Sequence, residues 1–320
     1  MRDFMLKVGL VGVGGISGTH IPVWDKLPDT ELVAICDIRP GQMEKYDGTR
    51  KYTSYEEMLE KEELDIVDIC LPTYLHADYS IMAMEKKINV ICEKPISLKA
   101  EDVERVYSTA EKNGVCFMIA HVLRFWPDYE LIKELYDSKK YGKLISGSME
   151  RLGTYPGWTW DGWMTDEKRS GLVPYDLHIH DLDFLVYAFG APEKTISHRM
   201  KLHDQDCFNC VYEYGDFFIT AEAVWYATPY PFTANYRFQF ENAIVERKQD
   251  KGVTVYERNG NTYKPEAEKN VEETGNAGIP KTNAYGNEIA YFVECVKAGK
   301  PADKVKPHEL KTVINILNSI

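Results

Sequence analysis

In the first third of the chain, short apolar runs alternate with amphipathic ones. Lys7–Val11, Glu31–Cys36, Ile66–Leu71, Asn89–Cys92 and Val115–Ala120 are rich in Val, Ile, Leu, Cys and Ala and read as buried strands. Ile16–Leu27, Tyr55–Lys61, His76–Lys86 and Ala100–Asn113 read as helices between them. Strands separated by helical segments predict βαβ units and a parallel sheet.

The texture changes near residue 122. Asp128–Ser138 and Pro174–Phe189 read as helices, and Lys143–Tyr155 as a long strand. Thr195–Leu202, Cys207–Tyr214, Phe217–Tyr226, Ala234–Glu241, Ala243–Lys248 and Val253–Arg258 follow as successive strands, with turns at Tyr214-Gly215-Asp216 and Asn259-Gly260. Residues 264–283 read as a loop, and Ala284–Ala298 and His308–Ser319 as closing helices. The expected architecture is an α/β Rossmann dinucleotide-binding domain over 1–121, then an α+β domain over 122–320 with an open, mostly antiparallel sheet.

Composition narrows the function classes. The 320 residues are 44% hydrophobic and 28% charged, ordinary for a folded protein of two domains. A formal charge of -12 disfavours nucleic acid and anionic lipid as partners. No apolar run reaches the roughly 18 residues of a membrane helix, and the N-terminal apolar stretch lacks the layout of a secretory signal, so the expected location is cytoplasmic. Seven cysteines, mostly within apolar runs, read as reduced core thiols. Cys207 and Cys210 form a Cys-x-x-Cys pair, but on a strand that spacing sends the side chains to opposite faces, and no metal is expected.

Three clusters carry candidate chemistry. Gly12-Val13-Gly14-Gly15-Ile16-Ser17-Gly18 links the first strand to the first helix, where glycines let a pyrophosphate approach backbone N–H groups at the helix N-terminus. Asp37 ends the second strand, placed to bond a ribose 2′-hydroxyl. Glu93-Lys94-Pro95 leaves the carboxyl end of a strand, where ligands of open α/β sheets sit, though a surface turn with incidental charges reads equally well. Asp176, His180 and Asp183 recur at i, i+4 and i+7, on one helix face apart from the stripe of Leu182, Leu185, Val186 and Phe189. Spacing alone leaves that trio open as a solvated face, a general base oriented by Asp176, or a chelating pair.

Together these elements resemble the Gfo/Idh/MocA oxidoreductase family, over nearly the whole chain. The resemblance rests on the run Gly12–His20, on Asp65–His76 and on Glu93-Lys94-Pro95. It continues through Gly171, the Asp176-x-x-x-His180-x-x-Asp183 run, the Tyr285–Phe292 segment and Gly299-Lys300-Pro301. It implies that Lys94, Asp176 and His180 are catalytic, and that Gly12, Gly14, Gly15, Ile16, Asp37, Pro72, Thr73, His76 and Glu93 line the cofactor site. Ser17 stands where the family has Gly or Ala, and Ser170-Gly171-Leu172 replaces a run of glycines before Asp176.

The chemistry this implies is NAD-dependent hydride transfer, with NADP as the alternative, on a secondary alcohol or ketone of a sugar or cyclic polyol. His180 would act as acid and base, since an imidazole titrates near pH ~6.5, and Lys94 would steady the alkoxide. The aromatic segment Gly153–Trp163 precedes the catalytic helix, and its Tyr155 and Trp163 are candidate substrate contacts or part of an oligomer contact. Two rival readings are a glycoside-cleaving enzyme that uses NAD as a transient oxidant and a non-catalytic dinucleotide-binding regulator. Phe218, Trp225, Tyr236 and Phe238 suggest large residues on both faces of the second-domain sheet, and hence a homo-oligomer, dimer or tetramer.

Overall fold

The computed structural model describes residues 5–265 and 282–320. The chain forms two compact units, the first running to His121 and taking in Ala284–Pro307, the second holding most of the remainder, including His308–Ile320. The expected loop over 264–283 falls almost wholly outside the described residues.

The first unit is built on six parallel strands: β1 Leu6–Val11, β2 Thr30–Cys36, β3 Arg50–Tyr52, β4 Ile66–Ile69, β5 Asn89–Glu93 and β6 Phe117–Ala120. Their order is β3-β2-β1-β4-β5-β6, the doubly wound arrangement in which strand order reverses beside β1. Its helices are α1 Ser17–Trp24, α2 Tyr55–Lys61, α3 His76–Glu85 and α4 Ala100–Asn113. Short β3, too brief to show a period, escapes the sequence reading. Helix α1 is shorter than the pattern suggests, ending before Asp25 with Pro22 inside it.

The second unit contains α5 Pro127–Ser138, β7 Leu144–Thr154, α6 Glu167–Ser170, α7 Ile179–Phe189, β8 Lys194–Leu202, β9 Gln205–Glu213, β10 Phe218–Tyr226, β11 Thr233–Phe240, β12 Ala243–Lys248, β13 Gly252–Glu257 and β14 Thr262–Tyr263. They give an eight-stranded sheet in the order β14-β13-β12-β11-β7-β10-β9-β8. Among the described residues only the β7–β10 pairing of this sheet is parallel.

Helix α8 Ala284–Ala298 groups with the first unit instead of with the expected 122–320 domain. Its buried Ile289, Phe292 and Val293 form the face that packs on α1 and β5. Helix α9 Pro307–Asn318 closes the chain. Among the described residues no helix is long and apolar enough to cross a membrane.

The sheet of the second unit carries large residues on both faces, though unevenly. Trp225, Tyr236 and Phe238 are buried together on the inner face, and Phe218 alone of the four is exposed. The outer face carries a polar row in register, His198–Asn209–Glu222–Glu150–Asn235. A groove of about 270 Å³ there is lined by Glu150, Glu222, Arg237 and Lys248 among others. Met200, Leu202, Ile244 and Tyr256 join Phe218 as exposed apolar side chains on that outer face, so the period-two alternation leaves large residues on both faces.

Candidate active site

The phosphate loop follows β1 closely. Gly12 has φ +94°, and a Cβ there would lie 2.5 Å from the carbonyl oxygen of Cys70, so only glycine fits. Gly14 and Gly15 are different: a Cβ on either meets nothing within 4 Å, and both are exposed. The open side of the loop is therefore where a diphosphate has room, at the N-terminus of α1. Ser17 is fully buried and its hydroxyl donates to the Gly14 carbonyl at 2.8 Å, so the departure from Gly or Ala leaves no polar atom stranded. Ile16 is half-buried beside it.

Asp37 caps the end of β2. One carboxylate oxygen accepts from the Val13 N–H at 2.9 Å, which ties the strand end to the phosphate loop. The other accepts from the Arg39 N–H at 2.8 Å and from Arg39 Nε at 3.1 Å. The same guanidinium reaches the first oxygen at 3.3 Å. These contacts hold the carboxylate in place while bringing a cation beside it.

The ends of β4 and β5 supply the next group. Pro72 is half-buried, Thr73 buried, and Glu93 buried. From Val90 to Ile96 every residue is buried except Lys94, which is half-exposed, and the Lys94–Pro95 peptide is cis. His76, expected among the cofactor contacts, lies elsewhere. It is buried, with its ring between the carbonyl oxygens of Pro95 at 2.6 Å and Leu71 at 2.7 Å. Burial lowers its pKa, so one ring nitrogen donates and the other contact lacks a proton. His76 thereby fastens the two loops that carry Pro72, Thr73, Glu93 and Lys94.

In the second unit the helix begins with a π turn, Pro174–His178, and continues as α7. From Leu172 to Val186 every residue is buried except Asp176 and His180. The expected companion Asp183 does not join them. It is fully buried, and both its oxygens accept from Arg124, at 2.9 Å from Nε and 2.7 Å from Nη2. Asp183 follows His180 by three residues in regular α7, and the buried Arg124 guanidinium holds it inside. Arg124 also bonds Glu309. A second buried pair joins Asp181 to Arg151 on β7 at 2.7 Å. Burial raises the Asp181 carboxyl, and the Arg151 guanidinium opposes that.

Tyr155 and Trp163 are half-buried in the loop before α6. The Tyr155 ring meets Trp225 edge-on at 6.0 Å, and both line a cavity of about 130 Å³ with Thr165, Glu167, Leu172 and Lys201. Trp158 is 74% exposed, so much of the aromatic segment is at the surface.

Sequence reading missed the buried ionic groups His20, Asp68, Arg124, Arg151 and Asp181. Their signal is a charge inside an apolar run, as in Ile66-Val-Asp68-Ile and Val122-Leu-Arg124-Phe, which needs a buried partner that the run itself does not identify. The ligand atoms of His20, Asp68 and Cys70 all lie within 4.8 Å of one another, a spacing open to a metal. The Asp68 oxygen there also accepts from the Trp24 indole N–H at 2.7 Å, which suits a hydrogen-bonded acceptor. Cys207 is exposed and Cys210 buried, on opposite faces of β9.

Residues 6–121 match the family model described as "Oxidoreductase family, NAD-binding Rossmann fold", and residues 129–245 match the GFO/IDH/MocA C-terminal domain. A D-glucoside 3-dehydrogenase of Escherichia coli is 30% identical over 201 residues, covering 60% of this chain and 56% of the relative. An inositol 2-dehydrogenase of Salmonella typhimurium is 28% identical over 200 residues, covering 60% and 56%. The chain thus spans little more than half the length of these curated relatives. The crystal structure of myo-inositol 2-dehydrogenase from Lactobacillus plantarum shares the fold, with a TM-score of 0.79 at 19% identity over 98% of this chain and 96% of that one.

Proposed function

The chain belongs to the Gfo/Idh/MocA oxidoreductase family, and from that premise we propose that it is a NAD-dependent dehydrogenase or reductase, acting on a secondary alcohol or ketone of a sugar, cyclic polyol or related carbohydrate. The observation that carries this reading is selective exposure. Two stretches that are otherwise buried open only at Lys94 in one case and only at Asp176 and His180 in the other. A purely structural segment has no reason to offer water an amine, a carboxylate and an imidazole alone.

When bound, the nicotinamide supplies or accepts the hydride. Lys94 donates a hydrogen bond from Nζ to the reacting oxygen and offsets its developing negative charge. His180 takes the hydroxyl proton in oxidation and returns it in reduction. Asp176 orients the ring. Gly14, Gly15 and Ile16 hold the diphosphate, Asp37 the adenosine ribose, and Pro72, Thr73 and Glu93 the nicotinamide end. Tyr155 and Trp163 face the carbohydrate. NAD is preferred because Asp37 repels a 2′-phosphate, with Arg39 beside it as the route to NADP.

The same reading includes self-association through the outer face of the eight-stranded sheet, and residence in the cytoplasm, where the seven free cysteines stay reduced. The test is a panel of cyclic polyols, aldoses and ketoses with NAD and NADP, followed by absorbance of the reduced nicotinamide. Tight NADH binding with no turnover of any carbohydrate would remove the proposal and leave a dinucleotide-binding regulator.

A further inference from the structure

His20, on α1, is fully buried. Its Nδ1 lies 2.9 Å from an Asp68 oxygen and its Nε2 lies 3.0 Å from a Glu93 oxygen. A carboxylate can only accept, so each contact needs an N–H on the ring, and a neutral imidazole has one. The Trp24 indole N–H donates to the same Asp68 oxygen, so that oxygen is an acceptor on this side too. The groups that face the ring are Asp68 and Cys70 at the end of β4, Glu93 on β5, and Tyr285 of α8 with ring centres 6.1 Å apart. None of them is a cation.

The other Glu93 oxygen accepts the backbone N–H of Lys94 at 3.2 Å. One chain of bonds therefore runs from the helix behind the phosphate loop, through a buried ring, to the turn that carries the exposed amine. We propose that His20 is a positioning residue, held as an imidazolium between Asp68 and Glu93, which locks the Lys94 turn to helix α1. It touches neither substrate nor cofactor, being wholly enclosed. Burial alone would lower its pKa, but Asp68 and Cys70 together outweigh that and hold it well above the usual imidazole range. Burial likewise would raise Glu93, and His20, by bond and charge, together with Lys94 and His76, outweighs it. The inference rests on the reading of Lys94 as the group that meets the reacting oxygen.

Two measurements test it on the full chain. The first is nitrogen-15 NMR of the histidine rings, with the His20 signal assigned by its loss in His20→Asn. His20 should show two protonated ring nitrogens at pH 8, and the Glu93→Gln variant should show one. A neutral, singly protonated ring at pH 7 in the unsubstituted protein would overturn the proposal. The second is the carbon-13 signal of reductively methylated Lys94, assigned through Lys94→Ala. It should move in Glu93→Gln, a change of one atom that preserves shape, and kcat should fall at least about tenfold, since small misplacements cost that much or more. An unmoved Lys94 signal with unchanged kcat in Glu93→Gln also overturns it. If Lys94→Ala turns over normally while the His20 ring is doubly protonated, the assignment of Lys94 fails and the charged state of His20 stands.

Discussion

Gly12 and Gly14 sit two residues apart under opposite constraints. Gly12→Ala forces a Cβ against the Cys70 carbonyl in a left-handed backbone, a strain of order 1–3 kcal/mol. It should lower Tm by several degrees, as read by circular dichroism, whatever ligand is present. Gly14→Ala has open space and should leave Tm unchanged while weakening NADH binding, measured by fluorescence titration. Equal effects of the two on stability would contradict the reading of the loop. At the three exposed groups, Lys94→Ala and His180→Ala should each lower kcat about 10²–10⁴-fold with near-normal NADH affinity. Asp176→Asn should cost less, because the imidazole remains. Near-wild-type turnover by His180→Ala would show that another group is the base.

The segment from Leu172 to Phe189 shows what an element imposes on its residues. Sequence periodicity located the helix, and composition located Asp176 and His180, because both are polar residues near an apolar stripe. It misjudged Asp183, since a polar face read from sequence does not reveal a buried cation from a distant element. It also missed Arg124 and Arg151, whose partners are 59 and 30 residues away. The Rossmann half was more legible, because local patterns there, strand then glycines then helix, also specify the ligand loop. His20 was visible only as a letter in a motif, its role depending on strands 48 and 73 residues distant. Removing one partner of a buried pair typically costs about 3–5 kcal/mol, so Arg124→Met should strongly lower the denaturant midpoint. Arg124→Met with Asp183→Leu should recover part of that loss, and no recovery would mean that the pair is not the reason. His178 adds a pH dependence. Burial, then the Arg151 charge, pushes its imidazole down to about 3, and Nε2 accepts from the Tyr212 hydroxyl at 2.6 Å. The unfolded chain, with its histidine near ~6.5, binds the extra proton between those values. The stability that neutral His178 contributes is whole above about pH 6.5 and is lost as pH falls towards 3, at up to about 1.4 kcal/mol per unit. His178→Gln should flatten that part of the Tm–pH profile, and an unchanged profile would count against it.

Across the whole molecule, the open sheet face sets charged groups among exposed apolar side chains. Both signs of charge are present there, in Glu150, Glu222, Arg237, Glu246 and Lys248. Association through such a face should be electrostatic and screened by salt. Light scattering at micromolar protein should give an oligomer at low ionic strength, weakened by Arg237→Glu. A monomer at every salt concentration would remove the interface. The closed lining around α7 has a consequence for how such a chain changes over time. A stretch of fifteen residues in which only two are not buried has almost no neutral positions, so drift there meets a loss of folding before it meets a new specificity. The tract from Tyr155 to Ser170 is freer: it is largely half-buried or exposed, carries three tryptophans, and ends where the buried stretch begins. New substrates should therefore be acquired by exchange of that tract while the helix stays fixed, and a randomised library should return its altered-specificity clones from the loop.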